Sequence, residues 1–318
     1  MIQKPRGTQD YLGDEFAKRR EVENKFVEFY LSRGYQGLDT PIFEQKNLFV
    51  RSVGEGTDIV SKELFDLEKK SEEVYSLRPE FTAGVIRSLI ELGIKSMPLP
   101  VKVISCGPCF RYERPQKGRK RQFNQLNIEL VGKKSPEIDA GVIVDAFEFL
   151  QTLGVEKSLV KINSLGSSET RKKYSEIIKN YLNENKGNLC ELCGERLDKN
   201  PLRVLDCKNP ACQEIIKKSP SILDSLTPDE KEYFDKVVNY LESKKIPCGI
   251  DASLVRGLDY YTGVIFEIIT EGDESRMNSI GGGGRYDDLI GELDGPDMPA
   301  FGMGIGFERV LDSLDKIN

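Results

Sequence analysis

The sequence predicts an α+β fold carrying a mostly helical insert, on three observations. Residues 101–132 read as two strands joined by a basic, glycine-containing loop, a long hairpin. The stretches around it read as capped helices interspersed with short strands. Residues 167–246 then turn Lys/Glu-rich and mostly helical, so the chain divides into 1–166, an inserted domain at 167–246, and 247–318.

Taken in order, Pro5-Arg6-Gly7-Thr8-Gln9-Asp10 is a turn-rich entry. A helix is expected over 15–33, with Val22, Phe26, Phe29 and Tyr30 on one stripe and Gly34 as its stop. GYQGLDTPIFE follows as a strand interrupted by Pro41, which places it at an edge. Residues 43–68 read as a glycine-punctuated loop, either an active-site loop or plain surface. After Tyr75-Ser76-Leu77, a helix is expected over 82–92, closed by Gly93. Glu80 and Thr82 stand at its start, where a carboxylate can take an ammonium or simply cap the helix. Ser135-Pro136-Glu137 opens a helix that runs to about residue 153, and VKINSLG is a short strand. Inside the insert, Thr227-Pro228-Asp229-Glu230 is a capping-box start.

The chain of 318 residues is long enough for more than one domain, and 38% hydrophobic with 31% charged residues is ordinary for a soluble protein. No apolar run spans a bilayer and residues 1–10 lack a signal-peptide core, so a cytoplasmic location is expected. A net charge of −6 argues against broad non-specific nucleic-acid binding. The sequence has no His at all. That excludes imidazole bases, Ser-His triads, HExxH sites and His-containing fingers. Chemistry here runs on Arg, carboxylates, Cys, Lys, Tyr or the substrate itself.

The hairpin carries the most chemistry. Phe123, Gln125, Asn127, Glu129 and Val131 share one strand face, and Asn124, Leu126, Ile128 and Leu130 the other. Its loop holds Arg111, Glu113, Arg114, Lys117, Arg119, Lys120 and Arg121. Guanidiniums in that number suit a polyphosphate. In the insert, Cys190, Cys193, Cys207 and Cys212 are spaced CxxC…CxxxxC. A closed four-thiolate structural Zn²⁺ site is one reading, although the second spacing is wide, and reduced thiols are the other. Basic runs at Arg171-Lys172-Lys173 and Lys217-Lys218 fit an RNA backbone or a solvated surface. LVRGLDYYTG (residues 254–263) sets Arg256, Asp259, Tyr260 and Tyr261 around glycine, a costly group to bury unless it binds something. Gly281, Gly282, Gly283 and Gly284 are expected to let backbone approach a ligand and then to open a helix. Gly302, Gly304 and Gly306 lead into Phe307-Glu308-Arg309 as a strand-to-helix unit.

FRYERPQKGRKRQF at residues 110–123 resembles motif 2 of the class II aminoacyl-tRNA synthetases, in the form used by histidyl-tRNA synthetases. The Pro41 region resembles motif 1, and the strand-to-helix unit at Arg309 resembles motif 3. LVRGLDYYTG resembles the histidine-specific motif, so the likeness spans essentially the whole chain. It implies an antiparallel sheet flanked by helices and dimerisation through the motif 1 region. It implies activation of L-histidine by ATP with Mg²⁺, then transfer to the 3′ end of tRNA(His). By this resemblance Arg111 and Arg256 are the catalytic pair on the α-phosphate and the attacking carboxylate. Phe123 and Arg309 would sandwich adenine, Glu113 would read its amino group, and Arg119 belongs to the ATP set. Glu80, Thr82, Gln125 and Glu129, with Arg256, would bind histidine, with Tyr260 and Tyr261 near its imidazole.

Three departures stand out. Asn124 occupies a position often His in the family, and Asn127 one often Gly. The sequence given ends at Asn318, just after motif 3, so the family's anticodon-binding domain is expected to be missing. That keeps a second reading open: a histidine-binding regulatory paralogue of histidine biosynthesis that does not charge tRNA. Such paralogues typically lose the motif 2 arginine loop, which is intact here.

Overall fold

A computed structural model describes residues 1–54, 56–68, 72–116, 118–155, 157–270 and 279–314. Its strands are β1 (Gln36–Gly37), β2 (Phe43–Gln45), β3 (Tyr75–Leu77), β4 (Val101–Phe110), β5 (Gln122–Val131), β6 (Ser158–Ser164), β7 (Cys248–Ile250), β8 (Thr262–Thr270), β9 (Ser279–Arg285) and β10 (Ala300–Gly306). Its α-helices are α1 (Asp14–Leu31), α2 (Lys46–Val53), α3 (Thr82–Glu91), α4 (Pro136–Thr152), α5 (Ser168–Glu184), α6 (Glu191–Lys199), α7 (Pro210–Ile216), α8 (Pro228–Ser243), α9 (Leu289–Glu292) and α10 (Phe307–Leu314).

Eight strands form one sheet in the order β1-β4-β5-β10-β9-β8-β6-β7. From β4 to β6 every neighbour is antiparallel. The two edges differ: β1 lies parallel to β4, and β7 parallel to β6. The sheet is therefore antiparallel in the middle and mixed overall. Pro41 explains the fate of the strand expected around it. The segment splits, with β1 on the large sheet and β2 on a separate pair with β3. Residues 43–68 are not one loop. Phe49, Ser52 and Val53 are buried along α2, a helix short enough for the glycines that follow it, Gly54 and Gly56, to disguise.

The alternation in β5 sorts the molecule into two sides. Leu126, Ile128 and Leu130 point into a core built with Val22, Phe26 and Tyr30 of α1 and with α4. From α8, at the far end of the 167–246 stretch, Phe234, Val237 and Leu241 join that same core. Its charged residues gave α8 the composition of an insert, but they occupy only its outer face. The expected caps are present: Ser135 accepts from the Ile138 N–H at 3.3 Å, and Thr227 and Glu230 form the reciprocal box at the start of α8. The helices α5, α6 and α7 belong to a second core, where Tyr174, Ile178, Leu182, Leu197 and Ile215 share one cluster with Val85 and Leu89 of α3 and with Tyr260 and Tyr261. No helix among the described residues is long and apolar enough to cross a membrane.

Candidate active site

On the sheet face turned away from α1, the floor of the site is a patch of strand nearly bare of side chains. Glycine weakens a strand, so a run of them needs a reason. Here the reason is space. A Cβ at Gly302 would fall 1.6 Å from Glu129 Oε2, one at Gly304 1.8 Å from Gln125 Nε2, and one at Gly282 2.7 Å from Arg256 Nη1. Three long polar side chains thus lie across neighbouring strands where only glycine lets them. Gly281 to Gly284, expected to let backbone approach a ligand ahead of a helix, do so from within a strand. They sit inside β9, paired on both sides, and the next helix starts only at Leu289.

Over this floor opens a cleft of about 610 Å³ whose walls include Arg111, Glu113, Arg119, Phe123, Arg256, Glu267 and Arg309. Arg111 leaves the end of β4, donates from Nε to Pro79 O at 3.0 Å and stands 5.3 Å from the Phe123 ring. Arg119 reaches Glu113 at 3.2 Å. Arg256 holds Glu267 at 3.0 Å, while its buried Nε has no partner among the described residues. Arg309, in the first turn of α10, donates to Ser279 O. Burial, and then the positive charge of Arg119 and Arg111, pushes the Arg309 guanidinium below its ordinary value. The lining as a whole holds more cations than carboxylates, with Lys18, Arg19 and Lys120 joining these four arginines against Glu15, Glu113, Glu267, Glu308 and Asp312, and a cleft with that excess makes a site for an anion. Of the other loop cations, Lys120 donates to Gln9 Oε1 at 2.6 Å and Arg121 stacks on Tyr112 at 3.7 Å. Lys117 lies outside the described residues.

Beside the cleft is a buried polar cluster. Glu129, fully buried, accepts from Thr82 Oγ1 at 2.6 Å, from Asn127 Nδ2 at 3.0 Å and from the Tyr286 hydroxyl. Burial pushes its carboxyl up to about 7, and among the described residues no Lys or Arg is paired with it. The rings of Tyr260 and Tyr261 are 4.6 Å apart, and Tyr260 meets Tyr286 edge-on at 5.4 Å. Gln125 contributes an acceptor 3.6 Å from Cys109 Sγ. Arg256 lies between cleft and cluster, 5.9 Å from the Tyr261 ring. Glu80 is also buried, but its carboxylate accepts the Thr82 and Ala83 N–H groups at 2.6 and 2.9 Å. It caps α3 at the edge of the cluster.

Two contributors were not singled out from the sequence. Tyr286 directly follows the glycine strand, and Glu267 is the one charged residue in VIFEIIT; each break in pattern was a signal. Asp259, by contrast, turns away from the cleft toward the insert, where Asn200 Nδ2 donates to it at 3.3 Å. Arg171 is not free for RNA: it donates to the Asp259 and Tyr261 carbonyls at 2.9 and 2.6 Å.

Asn124 points to the opposite side of β5, donating to Glu23 of α1 at 3.3 Å. Asn124→His is accordingly expected to leave the cleft's chemistry within about twofold of the parent, since exposed or half-exposed polar swaps rarely exceed ~0.5 kcal/mol. Steady-state kinetics on the variant check this, and a tenfold change would contradict the placement.

An antiparallel sheet bearing an arginine hairpin, a glycine floor and a strand-to-helix arginine is the architecture of a class II aminoacyl-tRNA synthetase. Comparison with known proteins narrows the class. The family model for histidyl-tRNA synthetase matches residues 7–310. A histidine–tRNA ligase of Clostridioides difficile (strain 630) is 46% identical over 316 residues, 99% of this chain and 75% of that one. The crystal structure of apo S. aureus histidyl-tRNA synthetase superposes with a TM-score of 0.80 at 34% identity, over 100% of this chain and 74% of that one. An ATP phosphoribosyltransferase regulatory subunit/histidyl-tRNA synthetase from Bacillus halodurans C shares the fold, with a TM-score of 0.73 at 23% identity over 99% of this chain and 83% of that one. The chain belongs to the histidyl-tRNA synthetase family.

Proposed function

We propose that this chain activates L-histidine with ATP and transfers the histidyl group to the 3′ end of tRNA(His). The observation that carries the reading is the convergence of Arg111, Arg119, Arg256 and Arg309 on one cleft beside Phe123, next to a buried carboxylate without a cation. A histidine carboxylate oxygen attacks the α-phosphorus, a P–O bond to the β-phosphate breaks, and pyrophosphate leaves. A terminal ribose hydroxyl of tRNA then attacks the carbonyl carbon, and AMP leaves. Because a carboxylate is already a nucleophile, the protein need only orient it and stabilise charge on phosphorus. No imidazole is required, which is compatible with a chain that has none.

In this reading Arg111 and Arg256 hold the α-phosphate and the incoming carboxylate, and Arg119 meets the remaining phosphates. Phe123 and Arg309 sandwich adenine and Glu113 accepts from its amino group. Glu129, with Thr82 and Gln125, takes the ammonium of histidine, Glu80 supports that corner by capping α3, and Tyr260 and Tyr261 bound the imidazole. Glu267, a carboxylate of the cleft wall, would help to hold Mg²⁺, which when bound would supply neutralisation of phosphate charge. Two copies pair through the motif 1 region, where Ile42 and Phe43 are about half exposed; sedimentation reporting a monomer would refute that pairing.

ATP–pyrophosphate exchange with each amino acid in turn tests the activity. Exchange driven by histidine alone is expected, and histidine binding without exchange would instead mark the regulatory reading. The pH dependence tests Glu129. Its folded carboxyl sits near 7, so the ionised form that holds an ammonium is lost as pH falls through 7. KM for histidine is expected to rise about tenfold per pH unit below that point, with KM for ATP nearly flat. Glu129→Gln should raise KM at neutral pH and leave only the slope due to the substrate's own imidazole.

A further inference from the structure

The four insert cysteines come from three separate pieces of chain: the start of α6, the turn before α7, and α7 itself. All four Sγ atoms lie within 4.8 Å of one another, and Cys193, Cys207 and Cys212 are buried. The Cys190 and Cys207 sulfurs are 3.8 Å apart. A tetrahedron with Zn–S bonds of about 2.3 Å has edges of about 3.8 Å, so the sulfurs already stand near that spacing. Backbone N–H groups point at the cluster as well. The Cys190 N–H donates to Cys212 Sγ at 3.3 Å and the Asn209 N–H to Cys207 Sγ at 3.4 Å. Such donors offset the negative charge that four thiolates carry around a divalent ion.

The cluster also has an output. Arg196 lies three residues after Cys193 and reaches Asp58 at 3.3 Å. Arg203 lies four residues before Cys207 and donates to Gly257 O at 3.0 Å, with Asp259 at 3.7 Å. Asn200, between them, holds Asp259. The pieces drawn together by sulfur therefore carry an arm that rests on the segment containing Arg256, Tyr260 and Tyr261.

We propose that Cys190, Cys193, Cys207 and Cys212 bind one Zn²⁺ in a closed four-thiolate site, and that this ion fixes the Asn200–Arg203 arm against the 256–261 segment. The ion is structural, since four protein ligands leave no open position. Its effect on the neighbouring segment rests on the histidine-binding reading above; its presence does not.

Metal analysis of protein purified without a histidine tag tests the site first. One zinc per chain is expected, with Co²⁺ replacement giving the intense d–d and thiolate-to-cobalt bands of tetrahedral S₄ coordination. Less than a tenth of an equivalent, with all four thiols open to a thiol reagent, would overturn the site, as would iron in its place. Cys212→Ser should release the metal. Arg203→Ala tests the arm without touching a ligand: zinc should stay bound while KM for histidine rises about tenfold and KM for ATP holds within twofold. Bound zinc with an unchanged histidine KM in Arg203→Ala would refute the coupling and leave the metal site standing.

Discussion

Arg256→Ala is expected to lower histidine-dependent pyrophosphate exchange by about 10³-fold, the cost of removing a preorganised charge from a transition state (~4 kcal/mol). The guanidinium is unusually well placed to matter. It is held to Glu267 at 3.0 Å and lies over Gly282, where a Cβ would come within 2.7 Å of it. It also bridges the arginine-lined cleft and the tyrosine cluster, so in the proposed mechanism it touches the attacking group and the phosphate together. The loss should fall on kcat, because charge on phosphorus grows only as the reaction proceeds. Arg256→Lys should recover little, since an ammonium cannot reproduce the planar fork. Single-turnover adenylate formation, with urea unfolding as a control on stability, distinguishes this from collapse of the site. A loss below tenfold would remove Arg256 from the reaction.

Asp139→Ala should be the most damaging single change away from the cleft, at about 3–5 kcal/mol of stability, because it strands a buried charge. Asp139 on α4 and Arg285 at the end of β9 are 0% and 1% exposed at their side chains. Arg285 donates from Nε to Asp139 Oδ2 at 2.9 Å and from Nη2 to Oδ1, and the Tyr233 hydroxyl of α8 adds 3.0 Å to Oδ2. One carboxylate therefore ties two helices to the glycine strand. Asp287, 2.8 Å from Arg285 Nη1, would keep part of the charge compensated. The urea midpoint of Asp139→Ala should fall sharply with an unchanged slope, and Asp139→Asn should lie between it and the parent. A shift under ~1 kcal/mol would show that Asp287 alone satisfies the guanidinium.

What the sequence disclosed was whatever rests on a repeating pattern. The two faces of β5 could be read from alternation, and Leu126, Ile128 and Leu130 are indeed the core side. The caps at Ser135 and Thr227 could be read because they are local chemistry. The glycine strands could not. Gly281 to Gly284 look like a loop by every local preference, and they become strand only because β8 and β10 flank them and Arg256 needs the room. Glu80 shows the opposite limit. Its position was marked correctly, but whether its carboxylate meets a ligand or two backbone N–H groups depends on α3 packing that a single sequence does not display. Asp259 and Arg171 likewise reveal their partners only once the insert is folded back over the sheet.

The strand order has a consequence for how the molecule is made. β10, at residues 300–306, lies between β5 and β9 in the middle of the sheet. A ribosome releases β4 and β5 early, yet the inner edge of β5 waits for a neighbour about 170 to 180 residues away in sequence. Contacts that distant close slowly, and an unpaired strand edge invites other chains meanwhile. The reactive centre is thus the last part of the sheet to exist. A nascent chain stopped before residue 300 would hold most of its binding side chains and lack the strand on which Glu129 and Gln125 lie.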